Sequence, residues 1–212
     1  MTESLRILVL GGSGPTGRLV VERALEQGHT VTAFARHPER AGLQHERLTL
    51  VAADAAHDPA AVSLAVSGCN AVVTVLGVGL GLRSHGIMTL ATPSIVDSMQ
   101  RAGVRRLVFI SAFGVGGSAP TAPLRFRLAW RLLLSEVYMD KARAESFVVE
   151  SPLDWTILAP VRMKDGPAAG GIRLTEGTPD RGPWLVTRAD VAAAALRCLG
   201  DATTIRKRFV VQ

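Results

Sequence analysis

Residues 5–17 read Leu5-Arg6-Ile7-Leu8-Val9-Leu10-Gly11-Gly12-Ser13-Gly14-Pro15-Thr16-Gly17, an apolar run that leads straight into a glycine-rich turn. The run at 5–10 predicts a buried β-strand, and residues 16–27 have the apolar spacing of an amphipathic α-helix. Glycines 12, 14 and 17 fit GxGxxG, and glycines 11, 14 and 17 fit the wider GxxGxxG. A strand, this turn and a helix form the context in which the pattern binds the pyrophosphate of a dinucleotide.

The chemistry of this loop requires glycine for three reasons. One glycine makes the tight turn, one lets backbone N–H groups approach the phosphates, and one lets the helix pack on the strand. The helix N-terminus adds a partial positive charge, and proline suits the first helical turn. The predicted phosphate-binding residues are Gly11, Gly12, Ser13, Gly14, Pro15, Thr16 and Gly17. The alternative is an incidental glycine turn.

The rest of the chain alternates short apolar runs with helical patterns. Further strands are predicted at 30–35, 48–52, 70–76, 106–110, 155–158 and 208–211, and helices at 59–66, 88–102, 135–150 and 189–199. The strands are continuous Val/Ile/Leu runs, which is typical of parallel strands buried on both faces. The pattern predicts one α/β domain over 1–212, a Rossmann-type doubly wound parallel sheet with helices on both faces. A Gly- and Pro-rich part at about 161–187 is expected to form irregular loops on the substrate side.

Composition excludes several classes of protein. The chain has 212 residues, 48% of them hydrophobic, which suits one globular domain and excludes a disordered protein. Its two cysteines exclude a disulfide framework, and no metal site is expected. No apolar run is long enough to cross a bilayer and none resembles a targeting peptide, so we expect no membrane span and a cytoplasmic protein.

Positive charge is concentrated in the middle of the chain. The net charge is +6, and six arginines but no acid lie between Asp97 and Glu136. This region is either a solvated basic face or a patch that attracts an anionic cofactor or substrate. Nucleic acid is not expected as a partner, because aromatic residues are not interleaved with the basic ones. Residues 124–134 are both apolar and basic, and fit a lid, a dimer face or a membrane-surface helix.

The end of the second predicted strand indicates which cofactor binds. NAD enzymes tend to place an acid there for the ribose 2′-hydroxyl, but residues 33–37 read Ala-Phe-Ala-Arg-His. Arg36 offers a planar fork for a 2′-phosphate and Arg40 can assist it, which favours NADP(H) over the alternative of a surface arginine. Asp54 follows the third strand, where its carboxylate either accepts from an adenine amino group or is simply a helix N-cap or loop aspartate.

The end of the fourth predicted strand is a further part of the expected cofactor site. Leu76, Gly77 and Gly79 lie there, and small residues at this point let the backbone pass close to the cofactor. Packing alone is the alternative explanation for these glycines.

Taken together, these motifs resemble a known family. Besides the glycine loop, Arg36 and Asp54, they comprise Val-Leu-Gly at 75–77, Ile-Ser-Ala-Phe at 110–113, Glu-Ser-Pro-Leu-Asp-Trp-Thr-Ile-Leu-Ala-Pro at 150–160 and Arg-Ala-Asp-Val-Ala at 188–192. The chain resembles the atypical short-chain dehydrogenases/reductases of the NAD(P)H-binding, NmrA-like kind, and most of all the flavin reductase/biliverdin IXβ reductase group. The resemblance implies a cofactor site that includes Ser111, Lys141 and Pro160.

The resemblance also implies catalytic residues. It places Ser111 beside the nicotinamide and Lys141 at a basic active-site position. Extended members carry Tyr-x-x-x-Lys, whereas here Tyr138 and Lys141 are three residues apart. A helix puts both on one face, so Tyr138 is a third catalytic candidate. The alternatives are a strand-end cap for Ser111, a solvated lysine with Asp140 and Glu145 as possible partners, and packing for Tyr138.

These motifs are compatible with two functions, one catalytic and one regulatory. The first is an oxidoreductase that passes hydride from NADPH to a small acceptor, such as a flavin, a quinone or a carbonyl compound. The second is a non-catalytic NADP(H)-binding redox sensor of the NmrA-like kind, and a sugar-nucleotide epimerase is more distant. A small-molecule partner is expected, with the protein a monomer or a homodimer.

Overall fold

The structure, a computed structural model, describes residues 4–77, 84–121, 135–177 and 184–212. Its strands are β1 (Arg6–Leu10), β2 (Thr30–Ala35), β3 (Leu48–Ala52), β4 (Ala71–Thr74), β5 (Arg106–Ile110), β6 (Asp154–Pro160), β7 (Arg162–Lys164), β8 (Leu174–Glu176), β9 (Leu185–Thr187) and β10 (Lys207–Val211). Its α-helices are α1 (Pro15–Glu26), α2 (Pro59–Val66), α3 (Ile87–Arg101), α4 (Ser135–Glu150) and α5 (Arg188–Gly200). Short 3-10 helices lie at Pro38–Ala41, Gly116–Thr121 and Ala202–Thr204.

Eight of these strands form the main sheet, in the order β3-β2-β1-β4-β5-β6-β10-β8. All neighbours pair in parallel except the edge strand β8, which is antiparallel to β10. From β1 the chain builds outward in one direction to β3 and in the other from β4 to β6, the order of a doubly wound sheet. The predicted Rossmann-type fold is therefore confirmed, with one antiparallel edge strand added to it.

Helices cover both faces of the sheet. Helices α1 and α5 pack together on one face, while α2, α3 and α4 form a layer on the other. The side chains of Ile7 and Val9 belong to the core under α1 and α5, and those of Leu8 and Leu10 belong to the core of the opposite face. Because successive residues of a strand point to opposite faces and both faces are buried, the sequence of β1 is continuously apolar.

The region 161–187 differs from the prediction. We expected irregular loops, but β7, β8 and β9 lie here, each three residues long. Strand β7 pairs in parallel with β9 as a separate two-stranded sheet, and Arg162 is opposite Leu185. Runs this short between glycines and prolines show no period of two, so the sequence pattern hides them.

Two predicted features fall outside this description. Residues 124–134, expected to be a lid, a dimer face or a membrane-surface helix, lie outside the described residues. Within the described part of the chain, no helix combines the length and the apolarity needed to cross a membrane.

Candidate functional site

A groove with a volume of about 240 Å³ opens at the carboxyl ends of the central strands. It lies where β1 and β4 are neighbours and the chain continues to opposite sides of the sheet, which is where doubly wound folds bind ligands. Its lining comes from the glycine loop, from the ends of β2, β3 and β4, and from the first residue of α3. The predicted cofactor residues that line it are Gly11, Ser13, Gly14, Arg36, Arg40, Asp54, Leu76 and Gly77.

At each glycine of the loop, an added side chain would meet different neighbouring atoms. Gly11 has φ +86°, and a Cβ there would lie 2.6 Å from the carbonyl oxygen of Val75. A Cβ on Gly12 would lie 2.9 Å from Cβ of Ala33, and one on Gly17 would overlap the carbonyl oxygen of Gly11. Gly14 is the least restricted of the four, because its Cβ would make a single close contact, at 3.3 Å to the Gly11 oxygen, which a small shift relieves. Glycine is thus required by the protein itself at 11, 12 and 17, whereas at 14 it keeps the groove open.

Replacing Gly14 with valine is expected to abolish cofactor binding while the protein stays folded. The extended backbone at this position (φ −73°, ψ 162°) accepts a β-branched residue, and the added side chain enters the space for the phosphates. Titration by NADPH fluorescence should give an affinity at least roughly tenfold weaker. Gly17→Ala is the comparison for folding, since its Cβ overlaps the Gly11 backbone and should lower the melting temperature as well, which Gly14→Val should not. Unchanged affinity in a folded Gly14→Val protein contradicts phosphate binding at this loop.

The first turn of α1 offers backbone donors to an anion. Gly14 is the N-cap and Pro15 occupies the first helical position, where no hydrogen bond is lost. Thr16 is buried, and its hydroxyl contacts Sδ of Met163 at 3.9 Å, so its side chain packs instead of lining the groove. The N–H of Arg18 donates to the carbonyl oxygen of Gly14, which leaves the N–H groups of Thr16 and Gly17 without an intrahelical acceptor and suited to a pyrophosphate.

Two arginines stand at the edge of the groove formed by β2. Arg36 directly follows the strand and Arg40 lies in the 3-10 helix Pro38–Ala41, and both side chains are exposed. No ion pair involving either is recorded within residues 4–77, 84–121, 135–177 and 184–212. Both guanidinium groups are thus available to an anionic ligand.

Asp54 faces this pair across the groove. Its Oδ1 accepts from the Ala56 N–H at 2.9 Å, and its Oδ2 lies 3.3 Å from Nδ1 of His57. Burial by itself raises the pKa of Asp54, but these two contacts and the charge of Arg36 hold it below its ordinary value. The carboxylate is therefore a loop aspartate that caps a turn and borders the groove, whereas the N-cap of α2 is Asp58.

Seven of the described residues that were predicted to bind the cofactor do not line the groove: Gly12, Pro15, Thr16, Gly17, Ser111, Lys141 and Pro160. Gly79 lies outside the described residues. Pro160 ends β6, and its carbonyl oxygen accepts from the N–H of Phe113 at 2.9 Å, so it connects β6 to the segment after β5.

Ser111 is the first residue after β5 and is only 2% exposed. Its N–H donates to the carbonyl oxygen of Leu158 at 2.8 Å, whereas its hydroxyl has no partner within the described residues. A buried hydroxyl without a partner costs free energy, so such groups are informative where a ligand is expected. Of the proposed roles, the strand-end cap does not account for this hydroxyl.

Lys141 extends from α4 to the first turn of α3. Its Nζ lies 3.5 Å from Sδ of Met88, the residue after the groove-lining Ile87. Burial lowers the pKa of Lys141 to about 8, against the opposing charges of Glu145 and Asp140. Neither acid is within ion-pair distance of Lys141 in the described structure. Lys141 is therefore a half-buried, weakly partnered amine and differs from the solvated lysine of the alternative interpretation.

Tyr138 is oriented differently from Lys141. Its hydroxyl donates to the carbonyl oxygen of Phe113 at 3.3 Å, and burial raises its pKa to about 12. A phenol with this hydrogen bond and this pKa is a poor acid–base catalyst near neutral pH. The contact favours packing and anchoring of α4 as the role of Tyr138.

Sequence reasoning missed the acids that anchor α4. Asp140 accepts from the N–H groups of Met88 and Thr89 at 3.2 and 2.7 Å, and Glu136 accepts from the N–H groups of Ser84 and His85. Glu136 and Asp140 are four residues apart, a spacing that places both on one face of the helix. Their hydrogen-bond partners lie about fifty residues away in the chain, so no local pattern indicates them.

Comparison with known proteins gives one matching family and several relatives. The family model described as NAD(P)H-binding matches residues 11–202. A Bacillus subtilis (strain 168) protein named as the uncharacterized sugar epimerase YhfK is 23% identical over 97% of this chain and 92% of its own length. The chain spans 62% and 44% of the lengths of two other curated relatives.

Solved structures share the fold over nearly the whole chain. A short-chain dehydrogenase/reductase of Veillonella parvula in complex with NADP is 21% identical, has a TM-score of 0.82, and is matched over 99% of this chain and 94% of its own. ChuY of Escherichia coli O157:H7, titled an anaerobillin reductase, is 25% identical with a TM-score of 0.80, over 97% and 96% of the two chains.

Proposed function

Because this chain belongs to the NAD(P)H-binding family, we propose that it is an NADPH-dependent reductase of the atypical short-chain type, acting on a small conjugated acceptor. The observation that carries the proposal is the buried Ser111 hydroxyl, which lies at the carboxyl end of β5 without a partner. The Thr74 hydroxyl at the end of the neighbouring strand β4 likewise has no partner within the described residues, so two unsatisfied hydroxyls stand at the carboxyl ends of central strands, where doubly wound folds bind ligands.

The groove fits the cofactor in shape and in charge. Gly14 leaves room for phosphates at the N-terminus of α1, and Arg36 with Arg40 supplies positive charge where a 2′-phosphate belongs. The absence of an acid at 33–37 removes the usual acceptor for a ribose 2′-hydroxyl. These features support NADPH over NADH.

When bound, NADPH supplies a hydride from its nicotinamide ring to the acceptor. In our proposal the Lys141 ammonium and the Ser111 hydroxyl donate hydrogen bonds to the acceptor oxygen, where negative charge builds up. Donors held in a buried site stabilise such charge more strongly than water does. Tyr138 keeps its hydrogen bond to Phe113, and solvent delivers the proton to a reduced flavin, quinone or similar product.

An aromatic side chain near Ser111 supports a planar acceptor. The ring of Trp184 is 36% exposed and packs against Phe113 with centroids 5.2 Å apart. Phe113 follows Ser111 by two residues, so a partly exposed ring stands close to the proposed reaction site. The name of ChuY, an anaerobillin reductase, also supports a reductase over an epimerase.

The purified protein is expected to oxidise NADPH in the presence of at least one member of a panel of flavins, quinones and aldehydes. The rate is read from the loss of NADPH absorbance. Ser111→Ala should lower kcat roughly tenfold to a hundredfold, because a donor to the developing oxyanion is lost. The Kd for NADPH and the melting temperature should stay nearly unchanged, since the hydroxyl has no partner to lose. Tight NADPH binding without turnover on any acceptor contradicts the reductase and favours the redox sensor.

A further inference from the structure

A buried ion pair involves Glu145, one helical turn after Lys141 on α4. Glu145 of α4 is 1% exposed, and its Oε2 accepts from a guanidinium nitrogen of Arg208, on β10, at 2.6 Å. The other carboxylate oxygen, Oε1, has no partner within the described residues. Ion pairs buried to this extent are costly unless every polar atom is satisfied, so the free oxygen calls for an explanation.

The backbone of two glycines packs against this ion pair. A Cβ on Gly116 would overlap Oε2 of Glu145, and a Cβ on Gly117 would overlap the guanidinium of Arg208. The backbone that follows β5 therefore lies directly on both charged groups, and the Glu145 carboxylate is shielded from water while the Arg208 side chain stays partly exposed. A carboxylate in such surroundings interacts strongly with any other charge nearby.

Lys141 is the nearest basic residue on the helix face of Glu145. The two are one helical turn apart, and helical side chains lean toward the N-terminus, so Glu145 leans over the turn that carries Lys141. Lys141 has three donors, yet its recorded contact among the described residues is the weak acceptor Met88 Sδ. An acceptor without a donor and an ammonium without a good acceptor thus lie one turn apart on the same helix, beyond ion-pair distance in the described structure.

The other groups around Lys141 are already engaged. Both carboxylate oxygens of Asp140 accept from N–H groups of α3, and the hydroxyl of Tyr138 is bound to Phe113. Helix α3 presents Met88, whereas its charged residues Asp97 and Arg101 lie toward its far end. Arg208 is the other charged group, and its guanidinium is hydrogen-bonded to Glu145.

We propose that Glu145, fixed by Arg208, is the positioning residue that orients the Lys141 ammonium and retains its charge beside the first turn of α3. The inference rests on the proposed function, in which Lys141 serves the acceptor. Arg208 holds one oxygen of the carboxylate, and the other remains available to the ammonium. Lys141 is then the residue that contacts the reacting molecule, and Glu145 acts through it.

The test is a titration of Lys141 in the protein without substrate. The chain has only three lysines, at 141, 164 and 207, so the Cε signals of lysine labelled with carbon-13 are assigned by single Lys→Arg variants. In Glu145→Gln, which keeps an acceptor for Arg208, the pKa of Lys141 should fall by roughly one pH unit. Glu150→Gln removes the same charge from the exposed end of the same helix and should leave the titration nearly unchanged.

A second variant keeps the inference testable if Glu145→Gln does not fold. In Arg208→Met the carboxylate is no longer neutralised, so the pKa of Lys141 should rise, while Arg208→Lys should stay close to the wild type. A Lys141 titration that is the same in all folded variants, or that moves equally in Glu150→Gln, overturns the positioning role. Because the measurement needs no acceptor, its failure is distinct from that of the proposed function, which is judged by NADPH oxidation.

Discussion

Lys141→Met is expected to lower the rate of NADPH oxidation about a hundredfold and, at the same time, to raise the melting temperature. Methionine matches the length of lysine without its charge, so it removes the donor to the acceptor oxygen and fills the same space. The stability gain arises because burial disfavours the ammonium, lowering its pKa to about 8. A solvated lysine would show neither effect.

The sign of the pH dependence follows from that shift. The ordinary pKa of this side chain is 10.5, so between about pH 8 and pH 10.5 the unfolded chain binds more protons than the folded protein. Lysine at 141 therefore makes the free energy of unfolding rise with pH across this range. The advantage of Lys141→Met, roughly 1–3 kcal/mol near pH 7, should shrink above pH 8 as the wild-type amine becomes neutral.

The check is a pair of measurements on each protein. Thermal unfolding of wild type and Lys141→Met is compared at several pH values, and kcat is measured over the same range. Wild-type kcat should fall as pH rises through about 8, because the neutral amine is a weaker donor. Lys164→Met, an exposed lysine of β7, is the matched control and should change neither quantity. If Lys141→Met keeps the wild-type rate on an accepted substrate, Lys141 has no role in turnover.

The fold was predictable because its main elements carry strong local signals. The strands at 30–35, 48–52 and 106–110 and the helices at 59–66 and 135–150 have the predicted bounds, since each continuous apolar run or helical pattern is bounded by turn residues. The short strands β7, β8 and β9 are specified by pairing partners and not by their own sequence. The conformation of the glycine loop at 11–17 was equally predictable, because its glycines are required by backbone contacts within the loop and with neighbouring strands.

The surroundings of Lys141 were less predictable, because they depend on contacts between distant parts of the chain. Glu145 and Arg208 are 63 residues apart, and no period or motif relates them. The burial of Lys141 likewise depends on how α4 packs on α3, which the helix pattern alone does not specify. Sequence therefore identified Lys141 as a candidate by resemblance, and its unusual environment was visible only in three dimensions.

Arg36→Ala is expected to weaken NADPH binding roughly tenfold to a hundredfold and to leave NADH binding nearly unchanged. Arg36 lines the groove at the end of β2 with no recorded ion pair among the described residues, so its guanidinium is available to the 2′-phosphate. A charge-assisted hydrogen bond contributes about 1.5–3 kcal/mol, and each 1.4 kcal/mol is about tenfold in affinity. Arg36→Asp should go further, because its carboxylate repels the phosphate and accepts from a ribose hydroxyl.

The test of whether Arg36 selects the cofactor is to measure dissociation constants for NADPH and NADH with each variant. All are measured at one fixed ionic strength, since salt screens phosphate contacts. Arg40→Ala should have a smaller effect of the same kind, because Arg40 lines the same groove from the neighbouring 3-10 helix. Arg47→Ala removes an equal charge from the opposite end of β2, where Arg47 donates to the carbonyl oxygen of Gly28, and should leave both constants unchanged. If wild type binds NADH as tightly as NADPH, or if Arg36→Ala weakens both alike, then Arg36 does not select the cofactor. In that case the groove recognises only what the two molecules share, the pyrophosphate at the N-terminus of α1.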